Sequence, residues 1–169
     1  MCEFLDPNSL ISLNKIKGTV MRKRLIRELT DLREIYPSIS VSFDENTNLP
    51  IVNVVNEGDN VSFKITNNFP FIPPCVIVNS QDYYAVILKN NGAEFIKVLK
   101  NLTGYNCLCC HSYICENNWS PSVRLIDIVK EIKENQKHKE NVENKIAFDK
   151  LDDNGKNNIT RENRDHFKI

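Results

Sequence analysis

The chain has 169 residues, and its 22 Lys plus Arg balance 22 Asp plus Glu, so the formal charge is zero. That length suits one compact domain with an extension, and neutrality argues against nucleic acid as the main partner, because phosphate binding needs a cationic face. No run approaches the ~18 apolar residues of a membrane span, and a start with Glu3 and Asp6 but no apolar run is not a secretory signal, so an intracellular protein, cytoplasmic or nuclear, is expected; a monomer is a separate expectation.

Residues 1–16 form a leader without clear periodicity. Over 17–35 the pattern turns helical: Val20, Met21, Leu25, Leu29 and Leu32 recur at helical spacings and make one apolar stripe. Pro37 ends the helix, since the residue before a proline avoids helical backbone. Alternation then predicts strands at 39–43, 50–55, 61–65 and 75–78, separated by polar turn clusters at 44–48 and 56–60 and by a proline-rich connection. A helix followed by four short strands predicts an antiparallel meander in an α+β domain. Residues 84–88 read as a short strand, and 93–102 as a helix stopped by Gly104. Ser120 is placed to cap a last helix with Pro121 at its first position. Val123, Ile126, Ile128, Val129 and Ile132 supply its buried face. Beyond Ile132 charge dominates, and 136–169 read as an exposed helical continuation passing into a flexible polar tail.

Cys107, Cys109, Cys110 and Cys115 fall within nine positions. In an intracellular protein such thiols are expected reduced, which points to reactivity or metal before disulfides. Cys107, Cys110, His111 and Cys115 offer four ligands, enough in number for tetrahedral zinc. They are crowded, however, and no second cysteine pair elsewhere closes such a site, so the main expectation is no metal and no cofactor. The plainer alternative is a packed cysteine-rich turn with one reactive thiol.

Three segments carry a resemblance. Lys23-Arg24-Leu25-Ile26-Arg27-Glu28-Leu29-Thr30-Asp31-Leu32 is a basic amphipathic helix. Phe69-Pro70-Phe71-Ile72-Pro73-Pro74 is similar to a Tyr-Pro-Phe-x-Pro-Pro box, and Asn118-Trp119-Ser120-Pro121-Ser122 to a Trp-Ser-Pro-Ala step. In this order, over about 17–135, the sequence resembles the ubiquitin-conjugating enzymes. The resemblance implies that family's fold, with an irregular active-site segment between meander and last helix. It implies an enzyme that takes ubiquitin or a ubiquitin-like modifier from an activating enzyme as a Cys thioester, then passes it to a substrate lysine with a ligase. It implies a ligase-binding surface at Lys23, Arg24, Arg27, Phe71, Pro121 and Ser122. Taken singly, the same segments read as core packing, a rigid surface turn and a buried aromatic anchor.

Two departures matter. There is no His-Pro-Asn motif, whose Asn stabilises the oxyanion in the family. The family's Cys lies about eight residues before the Trp, and that position is His111. Cys107-Leu108 matches the family's Cys-Leu pair if a short insertion follows, so Cys107 is the expected nucleophile, with Cys110 and then Cys115 as alternatives. Asn106, which adjoins Cys107, is the expected oxyanion donor, in a chain with 23 Asn. A catalytically silent variant that binds ubiquitin or a conjugating partner is the second reading. In the tail, Asp152, Asn154 and Ile159 fit a calcium loop, but Lys156, Asn157 and Asn163 break it, so no calcium binding is expected.

Overall fold

The computed structural model describes residues 16, 18–89 and 92–150. The leader over 1–15, the tail over 151–169 and its calcium-loop-like run lie outside the described residues. The architecture is α+β, with an N-terminal helix, an antiparallel sheet and a C-terminal helix.

Helix α1 (Thr19–Ile35) buries Leu25, Glu28, Leu29 and Leu32, the three-and-four spacing of one face. It stops two residues before Pro37, with the N–H of the intervening Tyr36 donating to the Leu32 carbonyl at 2.7 Å. The meander runs β1 (Ile39–Phe43), β2 (Pro50–Asn56), β3 (Asp59–Lys64), β4 (Cys75–Val78) and β5 (Gln81–Asp82), in that spatial order. Every neighbouring pair is antiparallel. The register explains the alternation: Val52 opposes Phe63, Val54 opposes Val61, and both β3 residues oppose Val76 and Val78 of β4. All six are buried, so this face meets the helices. Glu57 and Gly58 join β2 to β3 with φ of 50° and 93°, the left-handed pair a two-residue hairpin requires.

Beyond the sheet come a π-helical turn (Tyr84–Leu88), helix α2 (Ala93–Thr103), a 3-10 turn (Cys109–His111) and helix α3 (Leu125–Asp149). Gly104 closes α2 at φ 79°, as its position predicts. The buried faces of α1, α2, α3 and the sheet share one core.

Four expectations are corrected. The fourth strand is followed by a two-residue fifth, β5. Residues 84–88 are helical, not extended: Tyr83, Ile87 and Leu88 are buried while Tyr84, Ala85 and Val86 are exposed, a spacing of four rather than two. The Asp82 carboxylate accepts the Ala85 N–H at 2.9 Å and starts that turn. Ser120 and Pro121 do not open the last helix. They form a turn in which the Val123 N–H donates to the Ser120 carbonyl at 2.9 Å. Helix α3 begins at Leu125, where the cap comes from tertiary structure: the Glu28 carboxylate of α1 accepts the Leu125 N–H at 2.7 Å. Arg124 and Asp127 add a local box, N–H to Oδ2 at 3.2 Å and Nη2 to Oδ1 at 2.9 Å. Finally, the helical continuation expected beyond 135 is present but is not merely exposed. It continues to Asp149, with Val142 fully buried and Ile146 packed against the core.

Candidate functional site

The cysteine-rich segment has little regular structure of its own, so side chains from the core hold it. Glu131 of α3 is buried and is the centre of that support. Its carboxylate accepts the Ser112 hydroxyl at 2.5 Å, the Tyr113 backbone N–H at 2.6 Å and the Tyr83 hydroxyl at 2.9 Å. Asn135, one turn further along α3, donates its amide to the Tyr83 oxygen at 2.9 Å and to Glu131 at 3.3 Å. Burial, and then the adjacent Glu131 carboxylate, push the Tyr83 phenol well above its ordinary range, so it stays a donor. Asn118 clamps the segment from the other end: its amide nitrogen donates to the Cys110 carbonyl at 2.7 Å and the Ser112 carbonyl at 3.1 Å.

On this support Leu108 is fully buried and acts as a peg. The residues on either side of it, Cys107 and Cys109, have Cα atoms 5.5 Å apart and form a disulfide. This corrects the expectation that the cluster is fully reduced: Cys107 is not a free thiol here, whereas Cys110 is free and exposed and Cys115 is free and half-buried. The Sγ atoms of Cys107, Cys109 and Cys110 lie within 4.8 Å of one another. The four-ligand set Cys107, Cys110, His111 and Cys115 does not converge in this way, and the His111 ring stacks on Tyr105 at 4.0 Å between centroids.

The Pro box and the Trp-Ser-Pro step, 49 residues apart, meet directly. Trp119 Nε1 donates to the Pro70 carbonyl at 2.9 Å, and its ring lies 6.3 Å from that of Phe69. Arg24 joins α1 to the same turn. Its Nη2 donates to the Val123 carbonyl at 2.6 Å, and its Nε faces the Glu28 carboxylate at 2.5 Å. Arg24 is therefore removed from the expected ligase-binding set: its guanidinium is turned inward and structural. Burial drives the Glu28 carboxyl up, and the Leu125 N–H and Arg24 recover only part of that shift. The rest of the set is exposed, namely Lys23 and Arg27 on α1, Phe71 at 68% exposure, Pro121 and Ser122. A groove of about 540 Å³ runs beside Phe71 between the start of α1 and the Pro box, lined by Val20, Met21, Asn68 and Phe69, and among the described residues no cysteine borders it.

Asn106, the expected oxyanion donor, is exposed beside Cys107. Asn118 cannot substitute for it, because both protons of its amide nitrogen are already directed at carbonyls. Sequence reasoning missed Glu131, Asn135 and Glu28. The signal was there in the period: Glu28 falls on the stripe of Leu25, Leu29 and Leu32, and Glu131 and Asn135 fall beside Ile128 and Ile132. A polar residue on an apolar stripe must find a partner.

Comparison with protein-family models, curated proteins and solved structures gives no match. Among the described residues no helix is long and apolar enough to cross a membrane.

Proposed function

We propose that the chain is a ubiquitin-conjugating-type protein of that family's fold. It takes ubiquitin or a ubiquitin-like modifier from an activating enzyme and carries it as a Cys thioester to a substrate lysine with a ligase. The observation that carries this reading is the 2.9 Å bond from Trp119 Nε1 to the Pro70 carbonyl. The two most specific motifs of the resemblance are one structural unit, and the cysteine segment enters that unit through Trp119.

The chemistry is a thiolate attack on the incoming thioester carbonyl, with expulsion of the activating enzyme's thiolate and later attack by the lysine amine. Cys107 can do this only after its bond to Cys109 is reduced, whereas Cys110 needs no reduction. Lys23, Arg27, Phe71, Pro121 and Ser122 are the exposed residues offered to a ligase. A second reading, a silent module that binds ubiquitin or a conjugating partner, is favoured by the Cys107–Cys109 bond together with the missing His-Pro-Asn motif.

The test is a charging assay on protein reduced beforehand and freed of reductant, with activating enzyme, ATP and modifier, read on a non-reducing gel. A thiol-cleavable adduct that is lost in Cys107→Ala is expected. An adduct that survives there and disappears in Cys110→Ala moves the nucleophile. No adduct with any modifier refutes the enzyme, and retained modifier binding would then establish the module.

A further inference from the structure

We infer that the cysteine-rich turn, once reduced, is a three-thiolate site for one thiophilic d10 ion, built by Cys107, Cys109 and Cys110. The inference does not depend on the thioester reading. The two meet only at Cys107, where a bound ion and an acyl group would compete.

The geometry is the first reason. A tetrahedral ion with Zn–S bonds of about 2.3 Å holds its sulfurs about 3.8 Å apart. Cys109 and Cys110 Sγ are already 3.9 Å apart, and Cys107 Sγ lies within 4.8 Å of both. Only the Cys107–Cys109 bond has to open. A dithiol reductant supplies the two electrons, is itself oxidised to a disulfide, and leaves thiols on Cys107 and Cys109. The ion then replaces the thiol protons, which pass to buffer.

The support is the second reason. Leu108 is fixed in the core between two of the ligands, so their side chains leave the chain on one side. Asn118 holds the carbonyl of the third ligand, Cys110, at 2.7 Å. Ser112 and Tyr113, just downstream, are bound to Glu131 at 2.5 and 2.6 Å. The ligands therefore sit on a prearranged turn, so less chain ordering is left for the ion to impose. Cys110 lies at the surface, so the ion has an entry path and a fourth position open to water. Sulfur as the sole protein donor selects soft ions such as Zn²⁺ or Cu⁺ over Mg²⁺ and Ca²⁺.

The experiment titrates the full-length, reduced, reductant-free protein with Zn²⁺ against a chromophoric chelator. In parallel arms, Cu⁺ is titrated against a Cu⁺-selective chelator, and Co²⁺ is used as a spectroscopic probe. One equivalent should bind, with a thiolate-to-Co²⁺ charge-transfer band. Cys109→Ser removes a ligand and should weaken uptake by at least about 100-fold, more than the loss of a group that only supports a ligand costs, and should reduce that band. Cys75→Ser and Cys115→Ser should leave both unchanged. Circular dichroism of Cys109→Ser confirms that it is folded, and Cys110→Ser, altered at an exposed position, repeats the test. The inference is overturned if neither Zn²⁺ nor Cu⁺ binds stoichiometrically. It is equally overturned if Cys115→Ser and His111→Ala abolish uptake while Cys109→Ser does not. The Zn²⁺ and Cu⁺ arms rank the two ions.

Discussion

Glu131 is a charged residue on the buried side of α3, surrounded by donors from Tyr83, Ser112, Tyr113 and Asn135. Removing it leaves a buried phenol and a backbone N–H without their acceptor. Glu131→Ala should therefore cost about 3 kcal/mol, the upper range for hydrogen bonds to a charged group. Urea unfolding followed by the fluorescence of Trp119, the single tryptophan, reads this directly. Because the same residue holds Ser112 and Tyr113, amide exchange of the cysteine turn should accelerate more than that of the sheet. Glu28 gives a pH prediction with a definite sign. Its folded pKa is raised above the ordinary 4.5, so its stabilising contribution is present below that pH and lost as pH rises through the folded value. The stability difference between wild type and Glu28→Gln should fall as pH rises from 4.5 and then level off. A difference that grows over that interval would contradict the assignment.

At the scale of elements, Asp59 ties the β3 strand to α3. It accepts Asn79 Nδ2 through Oδ1 at 2.7 Å, and Lys133 Nζ and Gln136 Nε2 through Oδ2 at 3.0 and 3.1 Å. Burial alone would raise this carboxyl, but those bonds outweigh it and hold it below its ordinary 3.8. A depressed folded pKa gives stability that is present above 3.8 and lost as pH falls through the folded value. Asp59→Asn should thus cost about 1 kcal/mol at neutral pH, and the two proteins should converge in acid. The strands themselves were legible, because a strand half-buried on one face writes its period of two into the chain: β1 and β4 have the bounds that alternation predicts. The turn over 84–88 was not legible. Its apolar run Val86-Ile87-Leu88 fits either period, and only the anchoring of Tyr83 to Glu131 and Asn135 decides it.

For the whole molecule, α3 is longer than its apolar pattern suggests. Its second half is charged, yet Val142 is fully buried, and Lys139 Nζ donates to the Val86 carbonyl. Helix α2 packs along α3 and supplies the surface that covers it. Val142→Ala should lose about 2 kcal/mol of burial and lower the melting temperature by about 6 °C. A chain ending at Asn135 should lose more. If residues 136–149 were only an appended tail, scanning calorimetry would find that shortened chain as stable as the full one.

The sequence by itself determined the elements whose signal is local. These are α1 and its apolar stripe, the first four strands of the meander, the stop at Gly104, and the address of the cysteine cluster between the Pro box and Trp119. Tertiary structure decided the rest, because each remaining feature depends on a partner far away in the chain. Glu28 sets where α3 begins, Glu131 and Asn118 fix the cysteine turn, and Val123 turns Arg24 from the surface to the interior. Buried charges and orphan backbone groups must be satisfied wherever a partner lies, and no local periodicity records how distant that partner is.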